Sequence, residues 1–235
     1  MHENYNNYKK RKDNIAISGK MLGMKRIIID QQQIAKQGQQ LAQQAQNEVD
    51  KHVGKYCLLE LKNLDRLHDT LYSPMMDKIM VTVTSTGNLG LIWIFTALIL
   101  LLSSRNNDER SRIGYGILIA LLLSIMIGNL LIKNIAKRNR PFFHKNYKLL
   151  IKQPWDYSFP SGHTLASFAA ATVFFYMNQN MGLLALLYAC LIALSRLYLR
   201  VHFFTDVFFS MILGTGLGVL AMTLYDTHCF GLLFS

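Results

Sequence analysis

Residues 113–132 read IGYGILIALLLSIMIGNLLI, twenty positions without a charge. A helix rises about 1.5 Å per residue, so about twenty apolar residues match a hydrocarbon core roughly 30 Å thick. The stretch is therefore read as a membrane helix, and four more apolar segments surround it. One precedes it, at about residues 79–102, polar at its start (Thr82, Thr84, Thr86, Asn88) and strongly apolar at its end. Three follow, at about 164–177, 181–194 or a little beyond, and 203–224. The segments at 164–177 and 181–194 are short for spans, but their polar flanks can continue as helix. The expectation is an all-α, polytopic membrane bundle of about five transmembrane helices with a polar N-terminal extension. Gly214, Gly216 and Gly218 in the last segment give a Gly-x-x-x-Gly spacing, which in an apolar helix means close helix packing.

Composition agrees with that fold. The 235 residues are 51% hydrophobic and only 17% charged, and the mean hydropathy is +0.19. A formal net charge of +11 favours anionic partners such as phosphate groups or anionic lipids. Nucleic acid is not expected as a partner, because much of the basic charge lies beside apolar spans. Cys57, Cys190 and Cys229 are widely spaced, with no Cys-x-x-Cys pair, and read as apolar fillers.

Three regions are expected along the chain. Residues 1–54 form a polar extension, partly helical or disordered, with a basic cluster at Tyr8–Lys12 and a Gln/Ala-rich stretch over 31–46. Residues 55–78, where Leu58, Leu61, Leu64, Leu67 and Leu71 alternate with charges, read as an amphipathic interfacial helix. Residues 79–235 make up the membrane-embedded domain.

Polar residues interrupt the apolar pattern in three clusters. The first runs from Lys133 to Pro141, the second from Ser158 to Thr164, and the third from Ser195 to Asp206. Alternating helices carry all three to one face of the membrane. Lys133, Arg140 and Arg196 beside apolar helices are costly unless paired, so an anionic guest is expected. Arginine's planar fork suits phosphate oxygens, and lysine supplies a point charge. Ser161 and Gly162 follow Pro160 at a helix start, where backbone N–H groups and the helix dipole favour an anion. His202 and Asp206 lie four apart at another helix start and share a face. A carboxylate-backed imidazole has a fixed tautomer and is a better base or nucleophile. His163, from a different helix start, can donate a proton to a leaving oxygen. His-x-x-x-Asp with a further His also suits a zinc site, but the neighbouring cations would repel a divalent ion, so no metal and no other cofactor is expected. Lys137, Arg138, Lys145, Lys148 and Lys152 are read as charges snorkelling to the interface, and Arg200 is left without a role.

The three clusters resemble the tripartite signature of the phosphatidic acid phosphatase type 2 superfamily. Lys-x6-Arg-Pro matches Lys133, Arg140 and Pro141. Pro-Ser-Gly-His matches Pro160–His163, and Ser-Arg-x5-His-x3-Asp matches Ser195, Arg196, His202 and Asp206. The resemblance covers about residues 75–224. It implies that His202 is the nucleophile, Asp206 its partner and His163 the acid for the leaving group. Lys133, Arg140, Ser161, Gly162 and Arg196 would hold the phosphoryl oxygens, with no metal required. Within the superfamily the chain looks like bacterial undecaprenyl pyrophosphate phosphatases. The expected activity is hydrolysis of a lipid phosphate or diphosphate, undecaprenyl diphosphate first, with phosphatidic acid or phosphatidylglycerophosphate as alternatives. A non-catalytic lipid-phosphate binder or transporter is the reading from another class, and the set His163, His202 and Asp206 argues against it. The resemblance implies a cell-membrane protein with its site on the extracytoplasmic face. Against that face, residues 133–152 hold seven Lys or Arg and no acid, which the positive-inside tendency would keep in the cytosol.

Overall fold

The computed structural model of the protein describes residues 33–41, 43–44, 47, 54–104 and 109–227. The basic cluster at residues 8–12 and Cys229 lie outside them. The chain divides after Gly54 into two units. In the first, residues 33–41 form helix α1, within the Gln/Ala-rich stretch.

The second unit is helical throughout its regular structure. Its elements are α2 (Lys55–Leu71), α3 (Pro74–Thr86), a 3₁₀ turn (Asn88–Gly90), α4 (Leu91–Leu102) and α5 (Glu109–Leu123). A π-helical stretch (Ser124–Ile132), α6 (Lys133–Ala136) and α7 (Pro141–His144) follow, then α8 (Gly162–Phe175), α9 (Gln179–Tyr198) and α10 (Phe204–Asp226).

The amphipathic stretch at 55–78 is two helices rather than one. Pro74 has no N–H to continue a helix, and Ser73 caps the new one by accepting the Met76 N–H at 3.0 Å. The first apolar segment is also broken. Gly90 turns through a left-handed conformation (φ +69°) that side-chain-bearing residues avoid, and α3 and α4 meet at a 52° bend. This break places Asn88 beside the site described below.

Among the described residues, three helical runs are long and apolar enough to cross a membrane: Glu109–His144, Gln179–Tyr198 and Phe204–Asp226. The bent pair α3 and α4 supplies a fourth if taken as one span. α8 has 14 residues, about 21 Å of helix, shorter than a hydrocarbon core roughly 30 Å thick. It packs against α5, α9 and α10, and nine of its residues are buried, from Thr164 to Phe174. Such burial on several faces suits its run of small residues, Ala169–Ala171.

Close approach of α10 to α8 depends on two glycines. A Cβ at Gly214 would stand 2.5 Å from the Leu165 carbonyl oxygen, and one at Gly218 would stand 2.5 Å from that of Ala169. Gly216 meets nothing within 4 Å, so only the 214/218 pair makes the packing seam.

α2 packs on α9, with Leu61 and Leu64 buried and the His68 Nδ1–H donated to the Tyr198 carbonyl at 3.1 Å. This arrangement explains Arg200, which has a left-handed backbone (φ +55°). Its guanidinium lies 3.7 Å from Asp65, 3.4 Å from Asp69 and 4.8 Å from the centre of the Tyr147 ring. Arg200 ties α2 to the loop after α7.

Candidate active site

Five places along the chain deliver the polar side chains to one cavity of about 620 Å³. The π-helical stretch ends at Lys133, whose N–H reaches back five residues to the Gly128 carbonyl. Arg140 immediately precedes Pro141 at the start of α7. Gly162 and His163 open α8, and Arg196 sits in the last turn of α9. His202 lies in the short link between α9 and α10. All six line the cavity, together with Asp156, Asn88, Asn129 and Lys152. Its walls also include Val81, Ile94, Leu121 and Ile125, so the lining combines charged and apolar side chains.

Two predicted site residues stand behind this lining. Ser161 is fully buried, its N–H is donated to Ser210 Oγ at 2.8 Å, and its Oγ accepts from Thr164 Oγ1 at 3.0 Å. The Ser161 backbone donor, expected to be free for an anion, is therefore already used. Asp206, also fully buried, supports His202 from the side away from the cavity.

The hydrogen bonds of His202 define its tautomer. Nδ1 lies 2.7 Å from the Ser158 carbonyl oxygen, which can only accept, so Nδ1 carries the hydrogen. Nε2 lies 3.1 Å from Arg140 Nη1, which can only donate, so Nε2 presents its lone pair. The carboxylate of Asp206 is 3.7 Å from Nδ1, too far for a hydrogen bond. The direct His–Asp hydrogen bond expected from spacing is thus replaced. A backbone carbonyl fixes the ring, and Asp206 adds negative charge beside it. Burial and the positive charges of Arg140, Arg196 and Lys133 push the His202 pKa well below the usual imidazole range.

Asp206 is itself held firmly. At the third position of α10 it accepts the Phe203 N–H at 2.8 Å, as a carboxylate in a first helical turn does favourably. It also accepts the Ser158 hydroxyl and, at 2.6 Å, Arg138 Nη1.

The cations of the cavity meet one carboxylate absent from the expected set. Asp156 binds Lys133 Nζ and, at 2.6 Å, Arg140 Nη2, while its carbonyl accepts Arg140 Nε at 2.8 Å. Burial alone would raise the Asp156 pKa, but Arg140 and Lys133 outweigh it and hold the carboxyl far below its usual range. Four lining cations, Lys133, Arg140, Lys152 and Arg196, face this single acid, leaving three net positive charges. Arg196 donates to Thr84 Oγ1 at 2.5 Å, yet its Nε is buried without a partner among the described residues, as is Asn129 Oδ1. A buried donor rarely stays unmet, so a phosphate oxygen suits the space beside Arg196 Nε, whereas Asn129 Oδ1, an acceptor, calls for a donor. His163 Nε2 lies 3.1 Å from Asn88 Oδ1.

Asp156, Arg138 and Asn88 are the participants that sequence reasoning passed over. One signal was present for Asp156: it is the only acidic residue between Glu109 and Asp206. Asn88 belongs to a different apolar segment, and nothing in the linear pattern ties it to His163.

Known proteins share this arrangement of sequence and fold. Residues 114–229 match the PAP2 superfamily. An undecaprenyl-diphosphatase of Sulfolobus acidocaldarius is 30% identical over 154 residues, covering 65% of this chain and 72% of that protein. The undecaprenyl-diphosphatase BcrC of Bacillus subtilis is 25% identical over 155 residues, covering 66% and 78% respectively. Among solved structures, a transmembrane PAP2-type phosphatidylglycerolphosphate phosphatase from Bacillus subtilis superposes with a TM-score of 0.60 at 18% identity. The superposition covers 77% of this chain and 91% of that one and shows a common fold.

Proposed function

This chain belongs to the PAP2 superfamily, and from that premise we propose that it is an integral-membrane phosphatase acting on an isoprenoid diphosphate, undecaprenyl diphosphate foremost. The observation that carries the reading is the convergence of Lys133, Arg140, Arg196, His163 and His202 on one cavity that apolar side chains also line. The cations seat the terminal phosphoryl oxygens, and the apolar side chains take the start of the lipid chain. Gly162, at the helix start, lets the backbone come near the phosphate. Ser161 acts from behind, as the anchor of that helix start.

The reaction proceeds in two displacements. His202 Nε2 attacks the terminal phosphorus, and the bond from phosphorus to the bridging oxygen breaks. Protonated His163, favoured by the substrate's negative charge, gives its proton to that oxygen, and the lipid monophosphate leaves. Water, losing its proton to His163, then attacks the phosphohistidine and releases inorganic phosphate. The Ser158 carbonyl keeps the His202 Nδ1 hydrogen in place, and Asp206 stabilises the positive charge that grows on the ring. No step calls for a metal ion.

Purified protein is expected to release phosphate from undecaprenyl diphosphate in the presence of a chelator, with inhibition by vanadate. Phosphatidic acid and phosphatidylglycerophosphate serve as comparison substrates. A strict requirement for added divalent metal, or a preference for either glycerolipid, would refute the corresponding part of the reading.

The site is assigned to the extracytoplasmic face of the cell membrane. The family resemblance supports that side, and four of the seven cations in residues 133–152 have local duties that explain them. Lys133 and Arg140 pair with Asp156, Arg138 with Glu60 and Asp206, and Lys145 with Asp65. In intact cells, a Lys148→Cys variant in a cysteine-free background is expected to react with an impermeant maleimide. Labelling that needs permeabilised cells would reverse the assignment.

A further inference from the structure

Arg138 and Glu60 belong to no part of the matched signature, yet they form a continuous polar path to the centre of the site. Arg138 follows Lys137, whose left-handed backbone (φ +44°) ends α6 and turns the chain. That turn brings the Arg138 carbonyl to the Ser158 N–H at 2.8 Å, while the Ser158 side chain donates to Asp206. The Arg138 guanidinium lies over Phe203, 4.2 Å from the ring centre. Its Nη1 donates to Asp206 Oδ1 at 2.6 Å and to Thr205 Oγ1 at 2.6 Å. Nη2 donates to Glu60 Oε2 at 2.5 Å.

Glu60 completes the path from α2. Its other oxygen, Oε1, accepts the Thr205 N–H at 3.0 Å and the Thr205 hydroxyl at 2.7 Å. One carboxylate therefore caps a free N–H in the first turn of α10 and fixes the guanidinium that holds Asp206. Glu60 is placed for both tasks by Leu61 and Leu64, which bury α2 against the bundle. Its side chain is 13% exposed, so α2 shields this ion pair from most solvent screening.

An arginine merely reaching for the interface would not be bound on both hands by carboxylates and stacked on a ring. We infer that Arg138 is a positioning residue for Asp206, that Glu60 positions Arg138, and that the docked α2 is therefore a working part of the catalytic unit. The inference rests on the proposed phosphatase reaction. Asp206 can steady the charge on His202 only if its carboxylate stays oriented, and two of its four neighbours trace back to Arg138. Losing outer partners of metal ligands costs about ten- to a hundredfold in metal affinity or activity, and a loss on that order is expected here.

Phosphate release from the lipid diphosphate by wild-type protein tests the reaction itself, and the ratio of each variant to wild type tests the inference. Arg138→Ala is expected to lower kcat by about ten- to a hundredfold with little change in KM, since Arg138 does not line the cavity. Added guanidinium is expected to restore part of that loss, and Arg138→Lys to fall between. Glu60→Gln keeps the shape, is expected to fold even if Arg138→Ala does not, and should lower kcat less. Combining Glu60→Gln with Arg138→Ala should add almost nothing, because the two act as one path. Near-wild-type kcat in Glu60→Gln and Arg138→Ala, fully additive losses, or a loss confined to KM would overturn the inference.

Discussion

Replacing His202 with alanine is expected to lower phosphate release by about 10⁵-fold or more, the scale seen when a covalent nucleophile is removed. The Ser158 carbonyl keeps the hydrogen on Nδ1, so Nε2 carries the ring's single lone pair, and the Arg140 Nη1 contact to it yields before the attack. The cavity keeps Lys133, Arg140 and Arg196, so vanadate or phosphate should still bind the variant and raise its melting temperature. The same imidazole governs the acid side of the pH profile. Attack needs the neutral ring, so activity rises as pH climbs through the His202 pKa. Burial and three cations hold that pKa well below the ordinary 6.5. The acid limb of kcat/KM should therefore lie below 6.5, with His202 already neutral at that pH. Full activity in the alanine variant would rule out the nucleophile, and an acid limb above 6.5 would contradict the site's electrostatics.

The second large effect is expected at Arg140, where lysine should prove a poor replacement despite its charge. The guanidinium serves four acceptors at once: Val201 carbonyl at 2.7 Å, Asp156 carbonyl at 2.8 Å, Asp156 Oδ1 at 2.6 Å and His202 Nε2 at 3.1 Å. An ammonium has three donors and no planar fork, so it cannot hold the loop, the imidazole and a phosphate oxygen together. Arg140→Lys is expected to lower kcat/KM by about 10²- to 10³-fold, comparable to losing one preorganised donor. Arg140→Ala should be worse and should also destabilise the fold by about 2 kcal/mol, because the Val201 carbonyl loses a donor in the interior. Asp156 adds little to that cost, since its side chain is 51% exposed and can turn to water. Steady-state kinetics and thermal unfolding in detergent read the two effects separately. Near-wild-type turnover in Arg140→Lys would mean that charge alone suffices and that the fork is not used.

Much of this site was legible in the chain because its chemistry clusters in sequence. Lys133, Arg140, His163, Arg196 and His202 stand out as costly charges or titrating groups beside apolar helices, and all reach one cavity. Asp206 was equally visible, but its relation to His202 was not. A four-residue spacing says that two side chains share a face, not that they hydrogen-bond, and here the Ser158 carbonyl accepts the Nδ1–H instead. Ser161 shows the converse error. Its N–H looks free from local rules, yet Ser210 on α10 consumes it. Arg138 was read as an interface charge because its partners lie 78 and 68 residues away, beyond the reach of any local pattern.

The same division runs through the fold. Residues 113–132 determined by themselves that the chain enters a membrane, since twenty uncharged apolar residues have a strong preference for hydrocarbon whatever surrounds them. Gly214 and Gly218 likewise announced a close helix contact, for which only a missing side chain leaves room. Tertiary structure decided which helix they meet, that α8 is short and central, and that the first apolar segment bends to bring Asn88 to His163. It alone decided that Asp156 answers Lys133 and Arg140, and that α2 reaches Asp206 through Glu60 and Arg138. Transfer from water to lipid is a property of a segment and can be read from its residues. The pairing of charges depends on distances between segments, and those exist only once the helices have packed.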